Sequence, residues 1–195
     1  MDYDRAWRPR NFRDTAESLK EACGHSRLKS GKLYRGGEFD VCFLEGQLEC
    51  IGNPKTILNI RAQADRSDSF GKAKLRYEHI PTKNGPRDYE TTDRNVKVWV
   101  RDVIAFVSSL KEEEYPLYVH CRSGKDRTGI IIGILLLILG VPLDIVVLEY
   151  LQSKEGKTSE AQIRKALEPY NTDLKLKNEL KKCNLDNLCN VLLAK

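Results

Sequence analysis

Between Pro116 and Gly129 the sequence reads Pro-Leu-Tyr-Val-His-Cys-Arg-Ser-Gly-Lys-Asp-Arg-Thr-Gly, and an apolar run from Ile130 to Leu139 follows. Leu117 to Val119 is short, apolar and closed by a turn, which reads as a buried strand. The run after Gly129 has no polar face, so it reads as a buried helix; it is too short to cross a bilayer. Between them, Gly124 permits a backbone conformation closed to other residues. A strand that turns directly into a helix leaves the first backbone N–H groups of that helix without partners, and the helix dipole adds partial positive charge. Together these make a nest for an anion such as phosphate.

The side chains in the turn suit that anion. Cys121 and Arg127 are separated by five residues. A thiol beside a helix N-terminus and a guanidinium is favoured in its nucleophilic thiolate form, and a thiolate placed there can attack phosphorus to give a phosphocysteine. Arg127 offers a planar fork that binds two phosphate oxygens at once, which lysine cannot do. Thr128 can give its hydroxyl to the departing thiolate in the second step. Arg122, Ser123, Gly124 and Lys125 complete the phosphate-binding loop. His120 is expected to point back into the fold and orient Cys121. No metal or cofactor is required, because the loop itself neutralises the developing charge. A Walker-type nucleotide loop is excluded: Val119 stands where its first glycine belongs, and Asp126 follows Gly124-Lys125.

The stretch His120-Cys121-x5-Arg127-Thr128-Gly129 resembles the active-site loop of the protein-tyrosine and dual-specificity phosphatase superfamily. The ending Gly-Lys-Asp-Arg-Thr-Gly is similar to that of the atypical tyrosine/serine phosphatases common in microbes, some of which also accept phosphoinositides. The resemblance implies further site residues. Asn11-Phe12-Arg13-Asp14 and Lys32-Leu33-Tyr34-Arg35-Gly36-Gly37 are similar to motifs that line the family's substrate pocket, so Arg13 and Asp14 are supporting candidates. Two departures stand out: Thr15-Ala16-Glu17 replaces the usual glycines, and Gly36 stands where serine is usual. Arg61 with Asp65 resembles a strand-end pair that braces the phosphate loop, with Asn59 and Asp65 in place of the usual aspartate and glutamate. In this superfamily a mobile loop commonly brings an aspartate over the phosphate as general acid and base. Here that loop is Thr82 to Asn95, offering Asp88 and Asp93. Asp93 also fits an N-cap of the pattern Val96, Trp99, Val100, Val103, Ile104, Val107. Asp126, inside the phosphate loop, is the rival acid.

Elsewhere the chain alternates strands and helices. Residues 56–60 and 75–80 read as strands, and 39–50, 144–153 and 159–167 as helices, the last stopped by Pro169. The helix from Asp144 is read as packing. The expectation is a single α/β domain over 1–195, with a largely parallel four- or five-stranded central sheet flanked by helices, as in tyrosine phosphatases. Residues 1–10 read as a flexible lead-in and 156–195 as C-terminal helices. The 6 cysteines and a net charge of +5 set bounds on partners and compartment. The charge suits an anionic substrate but is too weak to argue for nucleic acid, and no basic run is interleaved with aromatics, so no nucleic-acid partner is expected. The cysteines show no zinc-like pairing and read as free, in the cytoplasm; the charged start, Met1 to Arg5, lacks the apolar core of a secretory signal. Cys23, Cys42 or Cys50 could pair with an oxidised Cys121. The leading substrate is protein phosphotyrosine, with phosphoserine or phosphothreonine also in reach. Arg122 and Lys125 would equally suit a phosphoinositide or inositol polyphosphate, and a non-catalytic phosphate-binding module is the reading outside enzymes.

Overall fold

A computed structural model describes residues 9–38, 45–65, 74–82, 88–154, 157–173, 178–180 and 183–194. Its centre is a five-stranded sheet. The strands are β1 (Arg13–Asp14), β2 (Leu33–Gly36), β3 (Thr56–Asn59), β4 (Arg76–His79) and β5 (Leu117–His120), in the order β1-β2-β5-β3-β4. β1 pairs antiparallel with β2, and every other pairing is parallel. β5 is the middle strand and all four of its residues are buried, which explains why its sequence is apolar throughout and does not alternate.

The two faces of the sheet divide by the two-residue period of a strand. Leu33, Leu58, Leu117 and Val119 face a large core built with the helices. Ile57 and Tyr118 face the other way, against Ile51, Phe12, Tyr34 and Tyr77. The helices are α1 (Thr15–Cys23), α2 (Arg94–Ser109), α3 (Asp126–Ile138), α4 (Leu143–Leu151), α5 (Glu160–Thr172) and α6 (Leu185–Leu192). α3 is buried from Thr128 to Leu136. Each fully buried aliphatic side chain contributes roughly 1.5–3 kcal/mol of transfer free energy, so this helix is a fixed post, and the loop that enters it inherits its rigidity. Among the described residues no helix is long and apolar enough to cross a membrane.

Local chemistry explains most boundaries. Asp93 caps α2 by accepting from the Asn95 and Val96 N–H groups, and Ser159 caps α5 through the Gln162 N–H. Residues 45–51 form a 3-10 helix; residues 39–44 of the helix expected there lie outside the described residues. The expected stop at Pro169 is corrected: α5 runs through it to Thr172. Its apolar face continues past the proline, with Ile163, Ala166, Leu167 and Tyr170 all buried, and that packing outweighs the missing N–H. Of the expected C-terminal helices, Lys175, Lys177, Lys181 and Lys182 lie outside the described residues, as do residues 1–8 and Cys42, while residues 178–180 are helical with Leu180 buried. Pro9 is buried, and the Arg10 carbonyl accepts the Gly37 N–H at 2.7 Å.

Candidate active site

The loop 121–125 joins the carboxyl end of β5 to the start of α3, where open parallel sheets place their ligands. Gly124 has φ 69°, and a Cβ there would run into the backbone of Gly36 and Gly37. No other residue fits this turn. Its carbonyls are held from outside, one after another. The Arg122 carbonyl accepts the Glu38 N–H at 3.0 Å. The Ser123 carbonyl accepts the Asn11 side-chain amide at 2.8 Å. The Gly124 carbonyl accepts Arg35 Nη2 at 2.9 Å. A trans peptide points its C=O and N–H in opposite directions. Fixing three successive carbonyls outward therefore turns the N–H groups of Ser123, Gly124 and Lys125 inward. The first turn of α3 adds the N–H groups that no helical carbonyl reaches.

Over this bowl lies a cavity of about 430 Å³ lined by Asp88, Tyr89, Cys121, Arg122, Ser123, Asp126, Arg127 and Gln162. Cys121 is buried at its floor, 2% exposed. Arg127 places Nε 3.3 Å from Asp88 Oδ2 and Nη1 3.5 Å from the Ile60 carbonyl. Asp88 is buried and accepts the Thr82 hydroxyl at 3.0 Å. Burial pushes the Asp88 carboxyl up, helped by the charge of Asp126, and this outweighs Thr82 and Arg127, which pull it down. Asp126 is differently placed. Its Oδ1 accepts the Tyr89 hydroxyl at 2.6 Å, and Tyr89 is in turn 2.7 Å from the Tyr150 hydroxyl. Burial, with these two partners, pushes the Tyr89 phenol far up, so it remains a proton donor to Asp126. Asp93, spent on its cap, does not line the cavity.

Two polar clusters brace the loop. On the β3 side, His120 Nε2 lies 2.9 Å from Asp65 Oδ2 with both side chains buried, and Arg61 Nη1 lies 3.0 Å from Asp65 Oδ1. Burial pushes the Asp65 carboxyl up, but His120, Arg61 and the Tyr77 hydroxyl together hold it below the usual range. The two sequence departures here offset each other: Asn59 donates to Asp65 at 2.8 Å, where an aspartate at 59 would repel it. On the other side, Glu149 of α4 takes two guanidinium groups. Arg13 Nε is 2.8 Å from Oε1, and Arg35 Nη1 is 2.5 Å from Oε2, with Arg35 and Glu149 fully buried. Burial and the neighbouring Arg13 pull Arg35 down to about 10, against Glu149 and Cys121, so it stays charged at neutral pH.

The residues expected from the sequence thus fall into groups. Cys121, Arg122, Ser123, Asp126, Arg127 and Asp88 meet at one cavity. Gly124 contributes backbone. Lys125 turns its ammonium to the Lys157 carbonyl at 3.0 Å and does not line the cavity. Thr128 is buried beside it, its hydroxyl without a partner among the described residues. Arg13 and Asp14 do not pair with each other: Arg13 goes to Glu149, and Asp14 caps α1 while also taking the Gly31 N–H at 2.5 Å. That cap replaces the usual glycines, because a helix starts at Thr15. The absence of serine at 36 also has a cause, since the Tyr118 hydroxyl occupies the space a Cβ would need. Cys23 closes α1 and Cys50 lies in the 3-10 helix; neither lines the cavity. Sequence reasoning missed Tyr89 and Gln162, and it did not foresee the loop-bracing pair of Arg35, placed in a pocket motif, and Glu149, read as packing. The last two carried a signal, an arginine and a glutamate inside stretches otherwise suited to a core.

A thiol on the floor of an anion nest, with a guanidinium and a carboxyl facing it, defines a cysteine-dependent phosphatase class of site. Comparison with known proteins agrees. Residues 7–192 match the Tyrosine phosphatase family, and the chain belongs to that family. Over 80 residues it is 29% identical to the triple specificity protein phosphatase PtpB of Mycobacterium tuberculosis, a match spanning 41% of this chain and 24% of that protein's length. The fold is similar to the core catalytic domain of the PP-IP phosphatase SIW14 of S. cerevisiae, with TM-score 0.62, 16% identity, and 96% and 98% of the two chains covered. A second structure of the Siw14 catalytic core gives TM-score 0.61 at 17% identity, covering 91% and 94%.

Proposed function

We propose that the protein hydrolyses phosphate monoesters through a phosphocysteine, with phosphotyrosine in protein as the substrate. The observation that carries this reading is the convergence of Cys121, Arg127 and Asp88 on one cavity above the inward N–H groups. The Cys121 thiolate attacks phosphorus, and an S–P bond forms as the bond to the leaving oxygen breaks. Asp88 gives its proton to that oxygen, so tyrosine leaves neutral. Arg127 and the loop N–H groups bind the three equatorial oxygens, where charge is held through the transition state. Water then attacks the phosphocysteine, the Asp88 carboxylate takes its proton, and the S–P bond breaks to return the thiolate, eased by the Thr128 hydroxyl. The hydrogen bond that Asp126 accepts from Tyr89 suits it to hold the 88–89 segment over the cavity and leaves Asp88 as the acid.

A phosphoinositide or inositol polyphosphate is the second reading. Arg122 supports it, because its side chain is 82% exposed at the cavity and its ion pair to Glu38 is long, 4.0 Å, so a second phosphate can compete for it. The bond from Lys125 to Lys157 counts against it. Phosphate release in chelator from a phosphotyrosine peptide and a phosphoinositide, side by side, separates the two, with Cys121→Ser as control. The expected result is faster turnover of the peptide and none by Cys121→Ser, which keeps substrate binding. Faster lipid turnover would favour the second reading, and normal turnover by Cys121→Ser would sink the mechanism.

A further inference from the structure

The cluster beneath the phosphate loop has an unbalanced charge. Arg13 and Arg35 share the single carboxylate of Glu149. Their remaining partners are neutral: the Asn11 and Glu149 carbonyls and the Ser18 and Ser153 hydroxyls for Arg13, and the Gly124 carbonyl for Arg35. Among the described residues two positive charges therefore face one negative charge, and one positive charge is left over. Burying it is costly unless an anion is near. Its position makes the need sharper. A Cβ on Gly129 would lie 3.5 Å from Arg35 Nη2, so the guanidinium sits against the first turn of α3. A cation at a helix N-terminus meets partial positive charge, the unfavourable sign. The Cys121 sulfur follows β5 directly beside the Arg35 strand in the Gly36–His120 register, where a negative charge would balance both.

We infer that Arg35 is a positioning residue for catalysis, acting from beneath the loop to hold the Gly124 carbonyl outward and to lend the excess charge of the Arg13–Glu149–Arg35 cluster to the Cys121 thiolate. This role presupposes that Cys121 is the nucleophile proposed above. Arg35 touches neither substrate nor leaving group. One hydrogen bond sets the direction of a peptide in the anion bowl, and one charge favours the thiolate over the thiol. The other charged or titratable groups around the thiol include Arg122 and Lys125 of the loop, Arg127 and Asp126 of α3, Asp88 and Tyr89 before α2, the His120–Asp65 pair and Tyr118, and none of them is altered in the test.

The test is the pH dependence of Cys121 alkylation by iodoacetamide, followed by mass spectrometry of the Cys121 peptide, with kcat and KM on a phosphotyrosine peptide and a melting curve for each variant. Arg35→Met takes the cluster from one excess positive charge to none. Its alkylation midpoint should rise by about one pH unit. Glu149→Gln takes the cluster to two excess charges, and its midpoint should fall. Arg35→Lys keeps the charge, so its midpoint should stay near that of the wild type. Its kcat should still fall, up to about 100-fold with little change in KM, because an ammonium drawn to Glu149 cannot also hold Gly124. Opposite shifts in Arg35→Met and Glu149→Gln support the role. Shifts in the same direction, or none, overturn it, since loosened packing would affect both alike. If Arg35→Met does not fold, Glu149→Gln and Arg35→Lys decide by the same signs. A wild-type Cys121 no more reactive than Cys23 at neutral pH would instead sink the nucleophile reading itself.

Discussion

Two carboxyl groups border the cavity, and their surroundings suit them to different tasks. Asp88 is buried, and its raised pKa means it keeps its proton to higher pH than an exposed aspartate. The proton-donating form is complete below that pKa and is lost as pH rises through it. The wild type should therefore show an alkaline limb in kcat/KM set by Asp88. Asp88→Asn should lower kcat/KM by about 10²–10⁴-fold and remove that limb. Asp126→Asn should keep the limb and lose less, because an amide oxygen can still accept the Tyr89 hydroxyl. The reverse pattern in the two pH profiles would make Asp126 the acid. This distinction is not legible in the sequence, where both residues are aspartates in polar loops; it depends on Thr82, Tyr89 and Tyr150 arriving from elsewhere. Cys121 and Arg127 are legible for the opposite reason. Everything that brings them together, the strand, the glycine and the helix start, lies within one continuous stretch.

At the scale of elements, the phosphate loop is a seam between β2 and α3. Gly124 packs on the backbone of Gly36 and Gly37 and takes a φ of 69°. Gly124→Ala should fold poorly, losing about 1–3 kcal/mol from the strained conformation alone, with a further loss from the backbone collision. A urea titration of the Gly124→Ala protein against wild type reads this, and an unchanged midpoint would mean that the loop can reopen. Most elements can be read from the sequence because their signals are local. The Asp93 cap, the apolar periodicity of α2 and the run of α3 each predict their own boundaries. The braces cannot be read this way. Arg35 meets Glu149 across 114 positions and Arg13 meets it across 136, and Arg13 beside Asp14 looks like a surface pair. Glu149 looks like the polar edge of a packing helix, yet it is 1% exposed and holds two arginines. Pro169 misleads in the same way, since what keeps α5 going is the core against which Tyr170 rests.

For the molecule as a whole, the C-terminal region is part of the domain. α6 buries Leu188, Val191 and Leu192. Asn187 donates to the Ser108 and Leu110 carbonyls at 2.9 Å, closing the end of α2. Leu28 and Leu193 form an isolated bridge that ties the end of the chain to the segment after α1. Leu188→Ala should therefore cost about 2–5 kcal/mol of stability, measured by urea unfolding, although it lies far in sequence from Cys121. A loss below about 0.5 kcal/mol would place α6 outside the cooperative unit. The outward carbonyls of the loop have a consequence of a different kind. They are fixed by Glu38, Asn11 and Arg35, so the bowl of N–H groups is shaped by the chain's own groups. Such a receptor suits a tetrahedral oxyanion by shape and charge. Under the mechanism proposed above, selectivity comes from what surrounds the phosphate, and inorganic phosphate is expected to compete with substrate for the same bowl.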